Sequence, residues 1–332
     1  MNRPLVVAEG LEVRYRAPGG LAVRAVDGVD LEVERGQIHG VVGESGCGKT
    51  TLGRALLGLV PITSGRVVVD GVDLGELSSG ELRRARSKMQ MIFQSPWASL
   101  NPRMKVGSAI GEALTAHRRM RRDEVADRVV SLLAMVGLPP DAADRYPAAF
   151  SGGQRQRIAI ARALAVEPRF VVADEPVSSL DVSVGEQILQ LLLELRERLG
   201  LAYLFISHDL TVVERLSEFV TVMYLGRVVE QAPTPTLFRG AAHPYTSSLL
   251  ASAPARYPRE IRRRYVLSGD PPSPIDPPQG CHFWPRCPVG PVADSTRTIC
   301  RTEVPRLVEC GDGHRVACHF PGEVRLPDPV AR

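Results

Sequence analysis

An α/β fold, built on a parallel sheet with crossover helices, is what this sequence predicts. Three observations predict it. A compact apolar stretch, "HGVVG", ends at a glycine-rich turn and passes directly into the helical pattern of "KTTLGRALLGLV". Farther on, "RFVVADE" and "LAYLFISHD" read as buried strands with the helix "EQILQLLLELRERLG" between them, and strand, helix, strand means a parallel pair joined by a crossover. After about Gln231 the texture changes to short segments, and seven prolines between Pro271 and Pro288 exclude a helix or a central strand there. The expected organisation is one domain over residues 1–240, with a helical subdomain over about 95–168. An extension over 241–332 follows, made of a proline-rich linker and a small cysteine module.

The elements follow in order. "LVVAEGLEVRY" and "AVDGVDLEVERGQIHGVVGESG" alternate apolar and polar residues between glycines, as short strands and hairpins do. "RVVVDGVDL" is a further hairpin with its turn at Asp70-Gly71. From about Pro96 to Ala165 the pattern is helical: "VGSAIGEALTAH" and "DEVADRVVSLLAMVGL" carry apolar residues at i, i+3 and i+4. Asp123 with Glu124 suits the start of the second of these helices. No internal repeat is present.

Composition excludes several classes. Of 332 residues, 44% are hydrophobic and 23% charged, an ordinary globular balance. The formal charge of +4 is spread along the chain, as on a solvated surface, and no nucleic-acid partner is expected. "MNRPLVVAEG" has no signal-peptide pattern, and no apolar run approaches the ~18–20 residues that span a bilayer. The expectation is a soluble, cytoplasmic chain whose link to a membrane runs through a partner. A reducing cytosol makes disulfides a poor use for the six cysteines.

"GESGCGKT", Gly43 to Thr50, fits G-x-x-x-x-G-K-[ST] between a strand and a helix, the context in which that pattern binds phosphates. The glycines let backbone N–H groups close on phosphate oxygens, and the helix N-terminus adds a favourable dipole. Lys49 reaches the terminal phosphates and Thr50 is placed for Mg²⁺. Cys47 is a small filler whose backbone matters more than its sulfur. "FVVADEP" supplies a second element, a strand ending in two carboxylates. Asp174 can hold Mg²⁺ through the metal's water shell, and Glu175 can polarise a water for attack on a γ-phosphate.

"FSGGQRQRIAIARAL" opens at Phe150, and Ser151, Gly152, Gly153 and Gln154 make a second anion site at the start of a periodic helix. Two such sites in one chain suit a head-to-tail pair in which each copy completes the other's site. Here the sequence resembles the ATP-binding subunit of ABC transporters over roughly residues 5–240. The resemblance implies a P-loop NTPase (RecA-like) core with an antiparallel β subdomain, a helical signature subdomain and a small Cys-rich C-terminal extension. It implies ATP and Mg²⁺ as cofactors, bound by Gly43, Glu44, Ser45, Gly46, Cys47, Gly48, Lys49, Thr50 and Thr51. Tyr15 matches the aromatic residue that stacks on adenine. Gln94, in "MIFQSP", matches the glutamine that touches Mg²⁺ and the attacking water and links the site to the membrane subunits. Ser151 to Gln154 match the signature that caps the partner's γ-phosphate, with Phe150 where the family usually has Leu. Asp181, in "SSLD", matches the aspartate of the dimer interface, and His208, in "FISHD", the switch histidine that contacts the γ-phosphate. Glu175, His208 and Gln94 are the catalytic candidates.

"SPWASLNPRM", "HPYTSSLLASAP" at His243 to Pro254 and the cysteine tail resemble the oligopeptide/dipeptide importer branch, which nickel, glutathione and other peptide-like importers share. That resemblance implies an ATPase peripheral to the cytoplasmic face of the cell membrane. Its partners would be a second, related ATPase, two transmembrane permease subunits and a substrate-binding protein. The pattern Cys281-x5-Cys287-x12-Cys300-x17-Cys318, closed by "GHRVACH", resembles the tail that in some members holds a 4Fe–4S iron–sulfur cluster. Cys310 is a spare that stands as an alternative to Cys300. Zinc is the rival, although its usual C-x2–4-C pair is absent, and free thiols are a third possibility. The proline-rich linker is expected to keep this module apart from the ATP site.

The alternative function is a soluble ABC ATPase serving translation or DNA repair. The former usually carries two ATPase halves and the latter a long coiled coil, and this chain shows neither. A P-loop kinase is opposed by "SGGQ".

Overall fold

The computed structural model describes residues 3–117, 120–252, 267, 269–311 and 313–323. Strands are β1 (Val6–Arg16), β2 (Ala22–Val33), β3 (Ile38–Val42), β4 (Ser64–Val69), β5 (Val72–Asp73), β6 (Met89–Ile92), β7 (Phe170–Asp174), β8 (Ala202–Ile206), β9 (Phe219–Tyr224), β10 (Arg227–Pro233), β11 (Val308–Gly311) and β12 (His314–Val316). Helices are α1 (Lys49–Leu56), α2 (Ser79–Ala85), α3 (Pro96–Ser99), α4 (Val106–His117), α5 (Arg122–Met135), α6 (Gly152–Leu164), α7 (Val182–Leu199), α8 (Leu210–Leu216), α9 (Thr234–Arg239), α10 (Pro244–Ser252) and α11 (Ile299–Thr302). Asp123's side chain and Ala253-Pro254, which end the His243–Pro254 stretch, lie outside the described residues. Among the described residues no helix is long and apolar enough to cross a membrane.

The chain divides into two compact units. The first holds Asp73–Phe205 with Val33–Gln37. Its strands run in the order β8–β7–β6, with β6 and β7 parallel from Met89↔Phe170 to Ile92↔Ala173. Every residue of β7 and β8 is buried, as strands covered on both faces require. The "EQILQLLLELRERLG" pattern is the body of α7, whose Ile188, Leu191, Leu192 and Leu195 are buried at helical spacing. Asp181 caps it, its Oδ1 accepting the Val184 N–H at 3.0 Å, and Gly200 ends it at φ 65°. Helices α4, α5 and α6 pack together as the expected helical region. At the start of α5 the Glu124 carboxylate accepts the Arg121 N–H at 2.9 Å.

The second unit holds Val6–Glu32, Ile38–Val72 and the chain from Ile206 onward. One of its sheets runs β2–β1–β4–β5, and β1 and β4 are antiparallel. Along β1 the buried residues are Val6 and Ala8, then Leu11 and Val13, a change of phase that matches the register shift between Glu9 and Glu12. The Asp70-Gly71 turn has positive φ at both residues, as the predicted tight hairpin demands. The other strands run β11–β12–β10–β9–β3, with β3 and β9 parallel and β9 and β10 an antiparallel hairpin. The cysteine tail therefore does more than hang from a linker: β12 pairs antiparallel with β10, Glu230 opposite Val316 and Gln231 opposite Arg315.

Two of the buried histidines in this unit illustrate an acid limit on stability. His39 Nε2 lies 2.8 Å from Thr221 Oγ1, and burial pushes its pKa down to about 4. His243 Nδ1 accepts the Tyr245 N–H at 3.0 Å at the start of α10, and burial pushes its pKa down to about 3. In the unfolded chain both titrate near 6.5. Between those limits the unfolded state binds the extra protons. Stability must therefore fall as pH drops below 6.5, by about 1 kcal/mol per pH unit per histidine. Urea midpoints measured from pH 7 to pH 5 are expected to show this slope. His243→Asn, whose Oδ1 keeps an acceptor for Tyr245, should shallow it by one proton, and an unchanged slope would remove His243 from the account.

Candidate active site

In the second unit, β3 ends at Val42 and α1 begins at Lys49, with the glycine-rich loop between them. Lys49 is only 6% exposed, and its Nζ donates to the carbonyls of Gly43 at 2.8 Å and Glu44 at 2.9 Å. Gly48 sits at φ 106°, and a Cβ there would strike the Ala25 carbonyl, so the turn into the helix requires glycine. Cys47 is buried, its carbonyl accepts the Gly226 N–H at 2.9 Å, and burial pushes its thiol up against the pull of Lys49. It is a filler with a working backbone, as expected. Ser45 and Gly46 are exposed at the loop's tip, and Thr50 and Thr51 are half-buried in the first turn of α1. An exposed loop of this shape, backed by a buried ammonium at a helix N-terminus, fits a polyphosphate. Tyr15 stands on β1 with 38% of its surface exposed. His208 is exposed just beyond β8, before α8.

In the first unit, the parallel register of β6 and β7 puts Ile92 beside Ala173. Gln94 and Glu175 each lie two residues beyond that pair, and they meet: Gln94 Nε2 donates to Glu175 Oε2 at 2.9 Å. Asp174 beside it is buried at the end of β7. Glu175 is held at φ 46°, a left-handed conformation that a β-strand end tolerates at a cost of order 1–3 kcal/mol. Ser151 caps α6 in a reciprocal box with Gln154: Ser151 N–H donates to Gln154 Oε1 at 3.0 Å, and Gln154 N–H donates to Ser151 Oγ at 3.3 Å. Gly152 is exposed, while a Cβ on Gly153 would strike Val184 Cγ1, so that glycine lets α6 approach α7 closely. Asp181 carries a local role besides any at an interface, since it caps α7, and the Val184 N–H and the Ser183 hydroxyl lower its pKa. The "SPWASLNPR" stretch docks on the signature helix. The Arg155 guanidinium stacks on Trp97, 4.0 Å from the ring centre, and Arg162 donates to the Ser99 carbonyl.

The cysteine tail belongs to the second unit. Its cysteines form no disulfide. Burial pushes the Cys281 thiol up to about 11 and the Cys287 and Cys318 thiols up to about 12. Backbone N–H groups pull the other way: those of Phe283 and Trp284 at Cys281, of Val289 and Gly290 at Cys287, and of Phe320 at Cys318, whose N–H lies 3.4 Å from the sulfur. The thiols also feel one another. Cys281 and Cys300 raise Cys287, and all three raise Cys318. Cys281 N–H donates to the Cys300 carbonyl at 2.9 Å. Cys310 stands apart, exposed, against the His314 carbonyl at 3.3 Å, with Glu230 and Glu309 as its charged neighbours. Cys281, Cys287 and Cys318 are thus buried thiols within electrostatic reach of Cys300, whose thiol burial also raises. Among the described residues no three His, Cys, Asp or Glu side chains converge closely enough for a single metal ion.

The linker does not keep this module away from the phosphate loop. Arg286, one residue before Cys287, grips the Glu44 carboxylate with both terminal nitrogens, Nη1 to Oε2 at 2.9 Å and Nη2 to Oε1 at 3.1 Å. Tyr245, from the "HPYTSS" helix, accepts the Glu44 N–H at 2.8 Å. Tyr224, Tyr245 and Phe283 pack ring to ring at 4.7–5.5 Å behind this contact. Glu230, fully buried, ties the tail down: it takes N–H bonds from Ala242 at 2.6 Å and His243 at 3.1 Å and lies 2.7 Å from His314 Nε2. Sequence reasoning missed these contacts. The available signal was an arginine inside the cysteine pattern and a glutamate inside the phosphate loop, each needing an opposite charge.

The ABC transporter family profile matches residues 26–178, and the profile for the oligopeptide/dipeptide transporter C-terminal region matches residues 229–291. A probable peptide ABC transporter ATP-binding protein of Sinorhizobium fredii is 47% identical over 337 residues, covering 100% of this chain and 93% of that one. A dipeptide transport ATP-binding protein of Haemophilus influenzae is 47% identical over 96% of this chain and 97% of its own length. An oligopeptide transport ATP-binding protein of Bacillus subtilis is 47% identical over 90% of each. Among solved structures, a dimeric ATP-binding cassette in a post-hydrolysis state with ADP and Pi is similar, with a TM-score of 0.63 and 31% identity over 69% of this chain and 98% of that one. With likeness running the length of the chain, the protein belongs to the ABC transporter ATP-binding proteins, in the branch that carries the oligopeptide/dipeptide C-terminal region, and is an ATPase.

Proposed function

We propose that this chain powers import of dipeptides, oligopeptides or related solutes by binding and hydrolysing ATP beneath a membrane permease. The hydrolytic part of the proposal rests on the 2.9 Å hydrogen bond from Gln94 to Glu175 at the end of a buried strand, and the import part on the likeness to peptide-transport ATP-binding proteins. Lys49 and the N–H groups of Gly43 to Thr51 hold the phosphates, and Tyr15 stacks on the adenine. Thr50, Gln94 and Asp174 are the residues that would hold Mg²⁺, which supplies neutralisation of the charge that develops on the transferred phosphoryl group. Glu175 accepts the proton of the attacking water, Gln94 fixes the carboxylate's direction, and His208 contacts the γ-phosphate. Ser151 to Gln154, with the exposed N-terminus of α6, face the nucleotide of a partner ATPase, and Asp181 lies at that interface.

The proposed assembly is a head-to-tail pair with a related but different ATPase, on two permease subunits fed by a substrate-binding protein. The chain is then peripheral on the cytoplasmic face of the membrane. The domain plan that accompanies this reading is an ATPase domain over 1–240 and a transporter extension over 241–332. Cys281, Cys287, Cys300 and Cys318 are the proposed ligands of a 4Fe–4S cluster, supported by their shared neighbourhood and their N–H donors. Around one tetrahedral zinc, thiolates sit about 3.8 Å apart; a cubane spreads its four ligands over four irons.

Equilibrium titration with MgATP tests the nucleotide site. Lys49→Ala removes the ammonium that now ties two loop carbonyls. It is expected to raise Kd by about 10–100-fold, the worth of a charged hydrogen bond. Wild-type affinity in this variant would overturn the assignment.

A further inference from the structure

We propose that Arg286 is a positioning residue for the phosphate loop, and that through it the state of the cysteine module sets the loop's affinity for nucleotide. The inference rests on the nucleotide site proposed above and adds a control to it. Three groups of Glu44 are held at once. Its carboxylate is gripped by Arg286, its N–H is bound by Tyr245, and its carbonyl receives Lys49. The ammonium expected to meet the phosphates thus rests on the carbonyl of the same residue whose carboxylate the tail holds.

On the other side the path is as short. Arg286 closes the single turn Trp284–Arg286, which is bracketed by two proposed ligands. Trp284 N–H donates to the Cys281 carbonyl at 3.0 Å, and Cys287 N–H donates to the Trp284 carbonyl at 3.3 Å. The Arg286 side chain is 7% exposed and also donates to Tyr224 Oη at 3.3 Å.

A two-pronged grip of this kind fixes direction as well as charge, which a lysine cannot copy. It also neutralises the one carboxylate of the loop. Without it, Glu44 leaves an uncompensated negative charge in a loop expected to bind a polyanion, and like charges repel.

The test is titration of the full-length, anaerobically prepared protein with MgATP, beside steady-state kinetics. Arg286→Met keeps the stem's packing and removes the fork; Kd and KM should rise about tenfold while kcat falls less than twofold. Arg286→Lys should recover only part of the loss. Adding Glu44→Gln to Arg286→Met should restore affinity to within about threefold of the parent, because the repelling charge is gone. A residue that merely supported folding would show no such rescue. Cys287→Ser should raise Kd to the same extent as Arg286→Met and add nothing to it in the double variant. Wild-type affinity in Arg286→Met, or additive losses in the double variant, would overturn the proposal. Lys49→Ala separates the two readings. If it loses ATP while Arg286→Met does not, the coupling alone falls; if it binds ATP normally, the nucleotide site and the coupling fall together.

Discussion

Glu175→Gln is expected to abolish ATP turnover at this subunit's site while leaving ATP binding near normal. The substitution is close to isosteric, and the new amide keeps an oxygen for the Gln94 N–H that now reaches Glu175 Oε2 at 2.9 Å. Only the capacity to take a proton is lost. Removal of a general base costs ~10²–10⁴ in rate. Single-turnover hydrolysis beside MgATP titration measures both sides of the statement. Hydrolysis at the parent rate would remove Glu175 from the catalytic role. Gln94→Ala leaves the carboxylate but frees its direction, so a smaller loss is expected there, in kcat more than in Kd.

The second large effect concerns iron. Protein purified anaerobically from an iron-replete host is expected to be brown, absorbing broadly near about 400 nm, with about four irons per chain, as a cluster on four thiolates requires. Cys281→Ser, Cys287→Ser, Cys300→Ser and Cys318→Ser should each lose that iron. Cys310→Ser should keep it, because Cys310 lies against the His314 carbonyl and beside Glu230 and Glu309, not among the other thiols. Iron lost from Cys310→Ser and kept in Cys300→Ser would reverse the assignment. Stoichiometric zinc without iron would replace the cluster with the rival metal, and no metal would leave free thiols.

The local geometry of the proposed ATP site was legible in the sequence because each feature is local. A glycine at φ 106° before Lys49, a serine that caps its own helix and a carboxylate pair at a strand end all write their chemistry within a few residues. The resemblance puts Gln94 at Mg²⁺ and the attacking water but does not state its contact with Glu175, which depends on the register of β6 against β7. What the sequence hid was long-range. The proline-rich tail has too little apolar periodicity to announce that β12 would join β10. Nothing near Arg286 names Glu44 as its partner, because opposite charges far apart in sequence carry no spacing signal. The expected separation of tail and phosphate loop failed for that reason: a proline-rich stretch rules out regular structure but says nothing about where the chain returns.

The grip of Arg286 on Glu44 spans 242 residues, and that span has a meaning in time. At synthesis rates of about 5–20 residues per second, the arginine leaves the ribosome roughly 10–50 s after the glutamate it will hold. Tyr245 reaches the same residue across 201 positions. Until Tyr245 is made the nascent loop has its glycines and its lysine but neither constraint, and until Arg286 is made it lacks the grip on its carboxylate. A chain released before Arg286 would carry every nucleotide motif and still lack the grip on the Glu44 carboxylate. The contact that fixes the direction of the Glu44 carboxylate is therefore among the later ones the growing chain can make.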